Sequence, residues 1–355
     1  MYIPTAAESR AQARRAHSRL LDLVRCIPGT GLSGLIALAA TFVATLHGGP
    51  QFLYALFFGV AFNYLSHEPR TKPGIEFCSR GLLRLGVGLL GARITLDQIG
   101  DLGWSTALIV VVGVVTTMAV GTLLGRRLGL TRAQSVLSGG SVAICGASAA
   151  LAISAVLPRE KEGDRFTLMV VVTVTVLSTV AMVLYPMVAK ALHLSPQLAG
   201  LFLGGTIHDV AQVVGAGYIL GPETADIATV VKLFRVAMLT VVVVVVAAAF
   251  KQARLHAERE HAQGRRSARQ PLVPWFLWLF VAMVALNSAG ALPAVVQHGL
   301  NDVSRASLVV AIAALGMKTS FQQLARAGWR PMVLILVETL WLALLVLGFA
   351  LTRNG

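Results

Sequence analysis

The chain has 355 residues, 56% of them hydrophobic and only 13% charged, which indicates a polytopic membrane protein. Its formal net charge of +14 would suit a nucleic-acid binder, but the basic residues sit in the gaps between apolar runs, the positive-inside pattern, and this excludes nucleic acid as a partner. Cys26, Cys78 and Cys145 form no CxxC pair and no even framework, so neither a disulfide scaffold nor a metal site is expected, and no motif calls for a cofactor.

Residues 1–29 carry five arginines and two acids, and the first apolar run opens near Gly31. Ala44–Pro50 reads ATLHGGP, without the small-residue cleavage site of a secretory signal, so this run is an uncleaved first span. Ala6–Cys26 reads equally as a basic amphipathic surface helix, with Leu20, Leu21 and Val24 on one side, or as a solvated tail that sets orientation. The expected organisation is a basic cytoplasmic segment, 1–29, ahead of a transmembrane domain, 30–355. Apolar runs between charge clusters fall near 30–48, 51–66, 81–96, 104–125, 133–157, 166–190, 198–220, 225–250, 273–292, 305–321 and 331–352, about eleven spans of an all-α fold.

Arg70, Lys72 and Arg80, then Arg126, Arg127 and Arg132, the cytoplasmic loop 251–272 and Arg326 with Arg330 fall on the side of the Arg-rich N-terminus. Asp97, Asp101, Glu223 and Asp302 fall on the other. The bias places the N-terminus inside and the C-terminus outside. Trp104, Trp275, Trp278 and Trp329 mark span ends.

Two stretches depart from plain spans. Gly204–Gly217 reads GGTIHDVAQVVGAG, with His208 and Asp209 near mid-depth, and Ser138–Ala150 reads SGGSVAICGASAA, matching Gly204, Gly205 and Thr206 with Gly139, Gly140 and Ser141. A doubled glycine costs about 2 kcal/mol in a helix relative to alanine. Two glycine-broken helices would expose backbone groups to a substrate at the bilayer midplane; packing against a neighbouring helix is the competing account. In the expected topology both stretches run outward, so either one is re-entrant or their likeness is local.

A second repeat is longer. Ser79–Trp104 aligns without a gap on Ser304–Trp329, sharing Ser79, Arg80, Leu83, Leu90, Gly91, Gln98, Gly103 and Trp104, with Arg93 opposite Lys318. The two copies run in opposite directions, which makes an inverted repeat. GVGLLG at Gly86–Gly91 matches a dinucleotide fingerprint in form, but it lies in an apolar span with no preceding strand and reads as helix packing.

Ionisable groups inside a bilayer need partners or a task. Lys232 and Arg235 share one helix face, either as a structural ion pair with Asp209 or Glu338 or as ligands for an oxyanion. His208 and Asp209 could carry a coupling proton, hold sodium, or pair with the basic residues, with Gln212 and Glu338 beside them as gating candidates. Cys145 and His208 also have the residue types of a nucleophile and its base, though no enzyme motif surrounds them, and an enzyme is not expected.

LSGGSVAICGASA, GGTIHDVAQVVGAG and ATVVKLFRVAML, in that order, resemble the YeiH-like bacterial membrane proteins often labelled sulfate exporters; the resemblance runs from about Gly31 to Leu351. It implies an inner-membrane transporter of the cation/proton antiporter and bile-acid symporter superfamily, with inverted repeats, broken helices and a homodimer through the outer spans. Together these readings predict a secondary transporter for a small inorganic or organic anion, sulfate or sulfonate. Gly139, Gly140, Ser141, Cys145, Gly204, Gly205, Thr206, Lys232 and Arg235 would bind it, and His208, Asp209, Gln212 and Glu338 would couple or gate. A sodium/proton antiporter built on Asp209 is the alternative.

Overall fold

The computed structural model describes residues 6–47, 50–101, 103–158, 163–253, 275–319 and 329–354, and among them every regular element is helical. In chain order these are α1 (Ala6–His47), α2 (Gln51–Ala61), α3 (Lys72–Phe77), α4 (Leu83–Leu90), α5 (Leu96–Asp101), α6 (Gly103–Arg127), α7 (Arg132–Ala143), α8 (Ala147–Ser154) and α9 (Gly163–Ala191). They are followed by α10 (Pro196–Thr206), α11 (Val210–Leu220), α12 (Pro222–Ala249), α13 (Trp275–Ser288), α14 (Ala294–Lys318) and α15 (Trp329–Asn354). Most of the loop expected at 251–272, together with Arg326, lies outside the described residues.

Six segments are long and apolar enough to cross a bilayer: Val24–His47, Gly103–Arg127, Arg165–Ala191, Pro222–Ala249, Ala294–Lys318 and Trp329–Arg353. The remaining expected spans take other forms. The 51–66 run is the short α2 followed by a 3-10 turn at Asn63–Ser66, and 273–292 becomes the short α13. The 81–96 run is a composite of a π turn at Cys78–Leu82, α4 and a 3-10 turn at Gly91–Arg93. The 133–157 and 198–220 runs are each interrupted. Residues 6–29 and the first apolar run form one helix, α1, with Pro28 inside it.

The described chain forms two compact units, residues 1–85 with 306–318, and residues 86–305 with 319–355. In the first, α1 packs on α2, and on α3 through facing glycines. A Cβ on Gly29 would stand 2.8 Å from the Cα of Gly74, and one on Gly74 would stand 2.7 Å from the Cα of Gly29. Gly59 and Gly316 repeat the arrangement, each leaving room for the other's backbone, and the Asn63 side-chain amide donates to the carbonyl of Met317 (2.6 Å), capping the end of α14.

In the second unit the long helices surround the interrupted ones. The turn into α7 is written locally: Gly129 takes φ +78° and lets Leu130 donate back to Gly125 (3.0 Å), closing α6. Thr131 then caps α7 in a reciprocal box with Gln134. α7 packs on α6, α8 on α9, α10 on α12 and α15, and α11 on α12 and α9. Ser135–Ala143 and Ala199–Thr206 are buried on every side, as expected of small and apolar sequences with no outward face. By contrast α6 turns Leu108, Val115 and Leu123 outward while burying Ile109, Val110 and Val114, so both of its faces are apolar, as a lipid-facing helix requires.

Candidate functional site

The interruptions come after the doubled glycines. Gly139 and Gly140 lie inside α7, which ends at Ala143; Ile144 leaves the helical region (φ −116°, ψ −87°) and Gly146 takes φ +63°. Gly204 and Gly205 lie in the last turn of α10, and the chain extends at Ile207 (ψ 138°) and Asp209 (ψ 140°). The glycines serve close packing instead. A Cβ on Gly204 would strike the Ala228 carbonyl of α12 and come within 2.9 Å of Val231. One on Gly139 would stand 3.1 Å from the Met118 Cα of α6, and one on Gly205 would stand 3.1 Å from Val346 of α15.

Each interruption leaves the carbonyls of a helix C-terminus without intrahelical donors, and such an end carries roughly half a negative charge. α12 supplies the remedy. Lys232 donates to the carbonyl of Ile144 (2.6 Å) and to that of Ile207 (2.8 Å), one from each interruption. Arg235 donates through Nε to Ala143 (3.1 Å), through Nη2 to Val142 (3.0 Å) and Ala143 (2.8 Å), and through Nη1 to Gly204 (3.2 Å) and Ile207 (3.3 Å). These bonds match all the N–H groups that a guanidinium owns. Lys232 is 0% and Arg235 1% exposed, so their charges are compensated by backbone dipoles rather than by water. Arg235, expected to offer its fork to an oxyanion, commits it to the two helix ends; the ammonium of Lys232 retains one further hydrogen.

The two second halves begin differently. Asp209 caps α11, its Oδ1 accepting from the Ala211 amide (2.8 Å), while its own amide donates to the Ser178 hydroxyl (3.0 Å). α8 begins behind Gly146 with no side-chain cap. A Cβ on Gly146 would stand 3.2 Å from the Cβ of His208 and 3.3 Å from Val174, so the second interruption lies against the first at this point. Cys145, 6% exposed, sits within the first interruption.

The other expected residues join this centre through α15 and α9. Ser141 and Thr206 occupy matching places and turn their hydroxyls back to the carbonyls of Leu137 and Phe202 in their own helices. His208 Nε2 lies 3.0 Å from the Thr339 hydroxyl, and the neighbouring Glu338 accepts from Ser138 (2.7 Å). Glu338 is fully buried, and its other oxygen lies against Gly121, where no Cβ fits. Gln212 donates to Thr179 (2.8 Å), whose hydroxyl lies 3.4 Å from that of Thr319. Ser138, Ser178, Thr179, Thr319 and Thr339 were not singled out from sequence. The adjacent Ser178 and Thr179 in the apolar run of α9 were the available signal.

A family profile described as "Conserved hypothetical protein 698" matches residues 28–335. The chain is 47% identical over 325 residues to UPF0324 membrane protein CT0845 of Chlorobaculum tepidum, covering 91% of this chain and 89% of that protein. It is 46% identical over 320 residues to UPF0324 membrane protein TauZ of Paracoccus denitrificans, covering 90% and 93% of the two chains. A UPF0324 membrane protein of Rhizobium meliloti is 42% identical over 336 residues, covering 94% and 95%.

Proposed function

The chain belongs to the UPF0324 family of membrane proteins, which its YeiH-like motifs fit, and from that premise we propose that it is a secondary transporter for a small oxyanion of the sulfate or sulfonate class. The single observation that carries this reading is an asymmetry at the place where the two interruptions lie against each other, the crossing. Both helix C-termini are covered by Lys232 and Arg235, whereas one of the two N-termini, that of α8, has a glycine without a side chain as its N-cap and only the Cys145 thiol against its Ala149 amide. A helix N-terminus that lacks an acidic cap attracts an anion through its amides and dipole. Beside it stand His208, which faces Gly146, and Lys232 with its remaining hydrogen. The anion is placed against the Gly146 end of α8, with Cys145 lining the site rather than attacking anything, and His208, tied to Thr339, couples its binding to α15.

The sodium/proton antiporter reading fares worse on the same geometry. The unwound carbonyls that would ligate a sodium ion are already occupied by Lys232 and Arg235, and Asp209 spends an oxygen on capping α11. The proposed setting is the bacterial inner membrane, with the N-terminus cytoplasmic, the C-terminus periplasmic and two copies in the assembly.

The test is counterflow in proteoliposomes. Labelled sulfate should enter faster when unlabelled sulfate or a small sulfonate is trapped inside, with no requirement for sodium. A preparation that exchanges sodium for protons and moves no anion would overturn the reading.

A further inference from the structure

Away from the crossing, the second compact unit holds a cavity of about 250 Å³. That is smaller than the roughly 300–1,000 Å³ of pockets for drug-sized ligands, so its occupant is small. Two arginines line it, together with the carboxylate of Asp302. Arg93 is fixed in place: its Nη2 pairs with Asp226 Oδ2 at 3.0 Å and its Nη1 donates to the Tyr218 hydroxyl at 3.3 Å. Arg305 also lines the cavity, and among the described residues it makes no hydrogen bond or ion pair, not even with Asp302 one turn away on the same helix. Asn301 lines it too, and its side-chain oxygen is buried without a hydrogen-bond partner. Oxygen and nitrogen of such an amide exchange places on rotation, so Asn301 can present donors to a guest.

One guanidinium held by a carboxylate and a phenol, a second with an unspent fork, and an unpartnered amide form a receptor for oxygen-rich anions. We propose that this cavity is a loading station for the transported oxyanion, separate from the crossing, with Arg305 as its principal ligand and Arg93 as the oriented second charge. This rests on the transport reading above. The inverted repeat adds an independent argument, because Arg93 aligns with Lys318 and Arg305 with Arg80. The same two cationic positions therefore occur twice. In the first compact unit Lys318 Nζ lies 3.3 Å from the hydroxyl of Ser79, next to Arg80. In the topology set by the charge bias, positions 93 and 305 belong to the outer side and 80 and 318 to the inner, so each face would have its own station.

Arg305 is exposed and holds no structural partner among the described residues, so Arg305→Gln should leave the fold intact. Detergent-purified full-length wild type, Arg305→Gln and Arg305→Lys would be titrated with sulfate and with methanesulfonate, reading thermal stabilisation, and each would then be assayed for sulfate counterflow. The expected result is about a tenfold higher half-saturating concentration in Arg305→Gln, in stabilisation and in counterflow alike, with maximal counterflow unchanged and most of the affinity restored by Arg305→Lys. Wild-type behaviour of Arg305→Gln in both assays overturns the station, and if wild type still shows counterflow the transport reading survives. A wild type that responds to neither anion and carries no sulfate overturns both.

Discussion

The two interrupted helices are alike on one side of the break and different on the other. α7 and α10 both end in carbonyls gathered by Lys232 and Arg235, both carry a doubled glycine shortly before their ends, and both turn a hydroxyl back on a carbonyl four residues earlier. Beyond the break, α11 starts behind Asp209 and α8 starts behind Gly146. The shared side concerns holding the crossing together, because its groups are spent on one another. The differing side is where the proposed anion site would lie.

The largest effect expected from breaking this comparison is at Arg235. Arg235→Leu strips donors from both helix ends at once, and each buried carbonyl left without a donor costs about 1–3 kcal/mol. Thermal unfolding in detergent should show a large loss of apparent stability or no folded protein, and Arg235→Lys should recover only part. Near-wild-type stability of Arg235→Leu would mean that the carbonyls are satisfied by other means.

Gly204→Ala comes next, at about 1–3 kcal/mol, because its Cβ meets the backbone of α12, which cannot step aside as a side chain can. Gly205→Ala faces only the side chain of Val346 and should cost less, so measuring both separates packing from helix breaking. If the glycines acted by breaking the helix, the two substitutions would behave alike.

Gly146→Ala probes the uncapped side. Its backbone, at φ +63° and ψ −119°, lies outside the left-handed helical region that asparagine tolerates, and the strain should cost on the order of 1–3 kcal/mol. Anion-dependent stabilisation should fall with it, since the amides of α8 would shift. Retention of full anion response in a strained Gly146→Ala would detach the ligand from this helix end.

The smallest effect is at Asp209. Asp209→Ala removes a cap worth about 1 kcal/mol, whereas Asp209→Asn keeps an acceptor and should be nearly silent in stability and in sulfate counterflow. Abolition of transport by Asp209→Asn would return this residue to the centre of a cation mechanism.

Much of this centre was legible in the chain. The doubled glycines, the basic pair three residues apart and the polar run from His208 to Gln212 all proved to lie at or beside the crossing, because polar groups are conspicuous in apolar runs. The partners of the basic pair were not legible. Lys232 reaches a carbonyl 88 residues away and Arg235 one 93 away, and backbone acceptors leave no mark in a sequence. The position of the breaks was also hidden, since it is set by the torsions of Ile144 and Ile207, ordinary helix formers by composition. The short α2 and α13 read as full spans because hydropathy counts residues and cannot see where a helix stops.

The Arg235 guanidinium grips carbonyls from α7 and from α10 simultaneously, and Lys232 does the same with Ile144 and Ile207. The crossing is therefore riveted. In the proposed transport cycle it would travel as one piece, with any flexing left to helices outside it. Distances between spin labels on α7 and α10 should stay constant while others change, and an anion bound at the neighbouring Gly146 end of α8 would be carried rather than squeezed.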